Sequence, residues 1–143
     1  MFFGEYYHSL DEKGRVILPV KFRDALADGL FITKSFDSCL LVYTRKDWFE
    51  RVDEIMSKKP ATAEVRNYQR FVIGSAVEDE VSRQGRISIP QNLRDFAGLD
   101  RDIVIIGVAN KLEIWAKERY ERFIADAEKS ASEIGEEIAD IGV

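Results

Sequence analysis

The sequence predicts an α+β fold assembled from two tandem copies of one strand–turn–strand–helix unit. Three observations carry that prediction. First, at an offset of 71, Asp11–Asp24 (DEKGRVILPVKFRD) lies on Ser82–Asp95 (SRQGRISIPQNLRD). Gly14/Gly85, Arg15/Arg86, Pro19/Pro90, Arg23/Arg94 and Asp24/Asp95 are identical, and Val16/Ile87, Leu18/Ile89 and Phe22/Leu93 are conservative exchanges. Second, each copy alternates apolar and polar residues after its glycine, the period of a half-buried strand. Third, each copy ends in an aromatic-rich stripe at helical spacing.

The elements follow in order. A first strand, roughly Phe2–Ser9 and again Ser75–Val81, runs into a turn at Gly14 or Gly85, where glycine tolerates positive φ. In the next strand Val16 and Leu18 share one face and Arg15 and Ile17 the other. Ile87/Ile89 against Arg86/Ser88 repeats that parity. Pro19 and Pro90 open short helices at the first helical position, where a missing N–H is harmless. These helices turn Phe22 and Leu26, or Leu93 and Ala97, inward and stop near Gly29 and Gly98. A hairpin follows, Leu30–Thr33 with Cys39–Tyr43, and Ile103–Val108 with Lys111–Trp115 about Ala109-Asn110.

A longer helix closes each copy. Thr44 with Asp47 suits a capping box, and Trp48, Val52 and Ile55 form one stripe, as do Tyr120, Phe123, Ile124 and Ala127. Pro60 interrupts the chain, and Ala61–Ile73 reads as a linking helix. The organisation is thus a first repeat over 1–57, a linking helix over 58–74, a second repeat over 75–129 and an acidic tail over 130–143. The tail spaces Ile134, Ile138 and Ile141 as a helix would, although Gly135 and Gly142 weaken that pattern.

Composition narrows the function. A chain of 143 residues, 45% apolar and 33% charged, is an ordinary globular sequence. Met1–Leu10 has no secretory-signal pattern, and no apolar run approaches the ~20 residues of a membrane span. Cys39 is the single cysteine, so a disulfide within the chain and a cysteine-based zinc site are both excluded. A cytoplasmic protein is the expectation. The net charge of −5 looks unfavourable for nucleic acid, but its distribution is uneven. Acids and bases balance through Phe123, and the excess sits in Asp126, Glu128, Glu133, Glu136, Glu137 and Asp140, against Lys129 alone. Two stretches carry no acid, Lys13–Arg23 and Val81–Arg94, and local fields decide where a polyanion docks.

No catalytic constellation stands out, and no metal or cofactor is expected. His8 is the only histidine, which excludes a histidine triad, and it reads as a strand side chain near the barrel rim. The run Glu78-Asp79-Glu80 reads as a solvated or inter-subunit edge. No Gly-rich phosphate loop follows a strand. Cys39, Trp48, Phe49, Trp115 and Tyr120 follow core patterns.

What recurs is glycine then arginine at the tip of a β-ribbon, inside an acid-free stretch. A two-stranded ribbon can enter the major groove, where arginine pairs with guanine O6 and N7. The candidate DNA-binding residues are Asp11, Lys13, Gly14, Arg15, Lys21 and Arg23 in the first copy and Arg83, Gly85, Arg86 and Arg94 in the second. Arg15 and Arg86 would read bases, and Lys21, Arg23 and Arg94 would contact phosphates. The same pattern also suits plain turn chemistry with a solvated cation, Arg23 and Arg94 pairing with nearby acids.

The paired motif, Asp11-x-x-Gly14-Arg15-x-x-x-Pro19-x-x-x-Arg23 and Gly85-Arg86-x-x-x-Pro90-x-x-x-Arg94, resembles the signature of the MraZ family of bacterial regulators. The likeness extends to the Met-Phe start, Arg70 near the end of the linking helix, and Leu112-Glu113-Ile114-Trp115. It implies two AbrB-like repeats forming one pseudo-dimeric, swapped-hairpin β-barrel with flanking helices. It also implies a homo-oligomer, a ring, that binds direct repeats of double-stranded DNA in its own promoter, upstream of the division and cell-wall gene cluster. The family's Asp-x-x-x-Arg DNA motif falls on Asp11 and Arg15. The second copy has Ser82 at the acidic position, which keeps a turn acceptor but loses the charge. The main rival is a structural assembly protein that does not touch DNA. An enzyme lacks a visible acid–base pair or nucleophile, and an AbrB-type antitoxin would carry one repeat.

Overall fold

The computed structural model describes residues 1–59, 62–131 and 135. The first repeat contributes β1 (Phe2–Ser9), β2 (Arg15–Ile17), α1 (Val20–Arg23), β3 (Leu30–Lys34), β4 (Leu40–Thr44) and α2 (Arg45–Met56). A linking helix α3 (Ala63–Val72) leads to β5 (Val77–Asp79), β6 (Arg86–Ser88), α4 (Gln91–Ala97), β7 (Asp102–Ala109), β8 (Lys111–Ala116) and α5 (Lys117–Ser130). Pro60 and the tail isoleucines Ile134, Ile138 and Ile141 lie outside the described residues.

The two repeats share their sheets. A six-stranded antiparallel sheet runs β1-β7-β8-β4-β3-β5, and a two-stranded sheet joins β2 to β6. Exchanging the repeats maps the larger order onto itself, so β4 and β8 flank an internal two-fold. The first strand of each repeat pairs with the other repeat, β1 with β7 from Phe2↔Ala109 to Ser9↔Asp102, and β5 with β3. The larger sheet is not closed, and β1 and β5 are its edges.

One face of this sheet and the inner face of the β2–β6 ribbon enclose the main core. Ile32, Leu40, Val42, Ile103, Ile105, Leu112 and Ile114 pack there with Val16, Leu18, Ile87 and Ile89. Phe22 plugs the end of this core edge-on to the rings of Phe2 and Tyr6. The opposite face carries the long helices. Tyr43 meets Trp48 and Ile55 of α2 and Val72 of α3, while Val104 and Trp115 meet Tyr120 of α5. Cys39 is buried in this second layer, where loss of solvent pushes its thiol up to about 12.

Several local expectations hold in detail. The Thr44 hydroxyl accepts from the Asp47 N–H at 3.1 Å, and the α3 cap Thr62 accepts from Val65. The β3–β4 and β7–β8 hairpins are present, the second turning with Ala109 at φ 62°. Other expectations need correction. Pro19 and Pro90 precede the first helical residue and serve as N-caps. The first short helix ends at Arg23, because the next bonds (Leu26 to Arg23, Ala27 to Asp24, Gly29 to Leu26) span three residues and wind too tightly for an α-helix. Its partner α4 runs to Ala97 and ends on Gly98 in the left-handed region. The α5 stripe is buried at Tyr120 and half-buried at Ile124, Phe123 is partly exposed but packs its ring on Trp115 at 5.0 Å between centroids, and Ala127 is exposed.

Candidate nucleic-acid interface

The ribbon that carries the Gly-Arg motifs differs from the hairpin expected of each repeat. β1 spends its ladder on β7, and Leu10 continues it by donating to Arg101, so β1 does not ladder with β2. Instead β2 pairs with β6 across the repeats, in the register Arg15↔Ser88, Val16↔Ile87, Ile17↔Arg86. Leu18 donates to the Gly85 carbonyl and Ile89 to the Gly14 carbonyl, each at 2.9 Å, which sets the two glycine turns at opposite ends of one ribbon. Because facing residues of an antiparallel pair share a side, Arg15, Ile17, Arg86 and Ser88 all lie on the outward face. Arg15 and Arg86 are diagonal neighbours there, with Cα atoms about 7–8 Å apart.

Asp11 builds the first turn. Its Oδ1 accepts from the backbone of Lys13 and Arg15, both at 2.9 Å, and its Oδ2 accepts from Arg15 Nε at 2.8 Å. The backbone N–H of Arg15 is the largest influence holding the Asp11 carboxyl below its ordinary range, with the Arg15 side chain and the Lys13 N–H acting the same way. With Nε engaged by Asp11, Nη1 and Nη2 of Arg15 keep their donors for other partners. The second turn repeats the backbone: Gly85 donates to Ser82, and the Ser82 hydroxyl accepts from the Arg86 N–H at 3.1 Å. Serine therefore keeps the turn, as its chemistry predicts. It does not hold the side chain, and Arg86 Nε is buried without a partner.

Arg23 and Arg94 occupy positions that the sequence did not suggest. Each reaches across to the glycine turn of the other repeat. Arg94 Nη1 donates to the carbonyls of Ile89 (2.9 Å) and Lys13 (3.2 Å), and its Nη2 donates to Gln91. Its guanidinium fills the space beside Gly14, where a Cβ would stand 1.2 Å from Nη1. Arg23 Nε donates to the Leu18 carbonyl at 3.0 Å, and its guanidinium lies over Gly85 in the same way. Both arginines are thus clamps on backbone carbonyls, and among the described residues neither pairs with an acid, as plain turn chemistry would have had it. The sequence shows only that arginine recurs nine residues after each motif glycine, which does not reveal that it covers the glycine of the other repeat.

The remaining candidates are spread around this frame. Lys13 and Arg83 are exposed at the two turns. Lys21 on α1 sits over the Tyr6 ring, 5.4 Å from its centroid. His8, on β1, is held below its ordinary value by burial and then by the positive field of Arg23. The acidic run at β5 is more engaged than a solvated edge would be: Asp79 Oδ2 accepts from the Ser88 N–H at 2.7 Å, and Glu78 pairs with Arg45 at 2.6 Å. Among the described residues no cluster of His, Cys, Asp and Glu is arranged to hold a metal ion, and no helix is long and apolar enough to cross a membrane.

Comparison with known proteins agrees with this architecture. The family described as "MraZ protein, putative antitoxin-like" matches twice, over residues 1–71 and 72–141. Similar proteins include the transcriptional regulator MraZ of Acetivibrio thermocellus and that of Natranaerobius thermophilus, each 44% identical over 143 residues and the whole of both chains. That of Desulforamulus reducens is 43% identical over 141 residues, 99% of each chain. All three are named as regulators, not as enzymes. A family match to both repeats over nearly the full length, with full-length relatives at 43–44% identity, is decisive: the chain belongs to the MraZ family.

Proposed function

We propose that this chain is a sequence-specific DNA-binding transcription regulator whose reading element is the outward face of the β2–β6 ribbon. The observation that carries the proposal is the placement of Arg15 and Arg86 as diagonal neighbours on that face, one from each repeat. A ribbon of two strands fits the major groove. A separation of about 7–8 Å matches roughly two base-pair steps of about 3.4 Å each. Asp11 fixes Arg15 through Nε and leaves its Nη edge for guanine O6 and N7. Lys13, Arg83 and Lys21 surround the face and suit phosphate contacts, which position without specifying. Arg23 and Arg94 support reading by fixing the turns from which Arg15 and Arg86 start. Gly14 and Gly85 bring the backbone close enough to make those clamps possible.

In this reading the two repeats form a swapped-hairpin pseudo-dimer related to AbrB-like proteins. The chain acts in the cytoplasm, at the nucleoid, as a homo-oligomer on direct repeats in its own promoter, within the division and cell-wall gene cluster. Assembly has a physical motive. The body is charge-balanced and one copy offers few cations, so several copies on one duplex supply the avidity that a single copy lacks. The test is a gel shift at fixed salt on the DNA upstream of the gene, comparing wild type with Arg15→Ala, Arg86→Ala and the double variant. Each single loss is expected to cost ~1–3 kcal/mol of specific binding with unchanged circular dichroism. Equal affinity of wild type and double variant overturns the assignment.

A further inference from the structure

The outward face of the ribbon is not two-fold symmetric. The repeat offset maps Arg15 onto Arg86, and it maps Ile17 onto Ser88. Ile17 is directly opposite Arg86 in the ladder and two residues beyond Arg15 on its own strand, so it flanks both arginines at one corner of the face, as Ser88 does at the opposite corner. It is 47% exposed, whereas its neighbours Val16 and Leu18 are at 1% and 0%. An isolated exposed isoleucine is unremarkable on a protein surface. This one is held by strand register on the proposed reading face, beside both arginines, where it adds nothing to the core. Its counterpart in the other half is polar.

Base edges in the major groove offer hydrogen-bond donors and acceptors and one apolar group, the 5-methyl of thymine. From this we infer that Ile17 is a specificity-determining residue that packs on a thymine methyl next to a guanine read by arginine, while Ser88 gives the other half no such preference. The inference rests on the DNA-binding reading above and deepens it. The face then prefers a non-palindromic sequence, although the two repeats that build it are related by a two-fold. The two turns add to this inequality. Arg15 is tied to Asp11, whereas Arg86 Nε has no partner and its turn carries Ser82 in place of the carboxylate.

The experiment is a thymine-to-deoxyuridine scan of the upstream DNA fragment, which removes one methyl at a time and leaves every hydrogen-bonding group in place. Wild type is expected to lose about three- to fivefold in affinity at one thymine in each repeat, the worth of one buried methyl group. Ile17→Ser is expected to bind more weakly by a similar factor and to be indifferent to that replacement. Ser88→Ile is expected to create a second methyl-sensitive position on the other side of the pseudo-dyad, a gain that does not depend on the behaviour of the first variant. Wild type that binds the fragment with no methyl-sensitive thymine, or Ile17→Ser that keeps the full sensitivity, overturns the inference and leaves the DNA-binding reading intact. Wild type that does not bind the fragment at all overturns both.

Discussion

Gly14→Ala tests the interlocked turns most directly. Gly14 has φ 78°, and an added Cβ would lie 1.2 Å from Arg94 Nη1 and 2.9 Å from the Ile89 carbonyl oxygen. The guanidinium is the end of a flexible side chain and can leave. The Ile89 carbonyl cannot, because the Ile89 N–H is bonded to the Gly14 carbonyl at 2.9 Å. Placing an L-residue in the left-handed region costs about 1–2 kcal/mol. Expelling Arg94 forfeits its bonds to the Ile89 and Lys13 carbonyls, each worth about 0.5–1.5 kcal/mol net. The expected destabilisation is therefore ~2–5 kcal/mol, a large share of the ~5–15 kcal/mol that holds an ordinary domain. Urea unfolding followed by tryptophan fluorescence measures it through the midpoint. A double-mutant cycle then isolates the clamp. Once Arg94→Ala has removed the guanidinium, Gly14→Ala should carry only the backbone term, so the pair should fall short of additivity by about 1–3 kcal/mol. Full additivity, or a Gly14→Ala protein within about 0.5 kcal/mol of wild type, refutes the clamp.

Phe22→Ala should cost ~3–5 kcal/mol, because Phe22 is 2% exposed and edge-on to both Phe2 and Tyr6; a melting curve like that of wild type would contradict its place in the core. His8 should make the fold acid-sensitive. Its folded value is depressed, so stability is fully present above the unfolded histidine value near ~6.5 and is lost as pH falls through the lower folded value. His8→Gln should lose less stability than wild type on going from about pH 7.5 to about pH 5.5, and equal losses in urea midpoints would remove His8 as the cause. If several copies read repeats from one face of the duplex, inserting ~5 base pairs between repeats should lower affinity steeply, and inserting ~10 should restore part of it. A gel shift indifferent to spacing would exclude phased, simultaneous engagement.

Much of this protein was legible in its residues. The offset of 71 revealed the duplication, the alternation at Val16/Leu18 and Ile87/Ile89 gave the buried face of each strand, and Thr44, Gly14 and Gly85 marked their cap and turns correctly. These features are local: period, φ and capping act within a few residues, so the sequence states them. Ser82 could likewise be read as a turn acceptor that loses the charge. Strand partners are not local. Periodicity tells which side of β2 is buried, but β2 could meet its own repeat or the other, and only the closing of a common core decided that it pairs with β6 while β1 goes to β7. The same holds for the arginines. Arg15 and Arg86 appeared as separate tips, and the cross-repeat register made them diagonal neighbours on one face. Arg23 and Arg94 appeared as surface cations, and the tertiary structure turned each onto the glycine of the opposite repeat, because unpaired turn carbonyls and a missing Cβ meet there at a distance that no sequence spacing records.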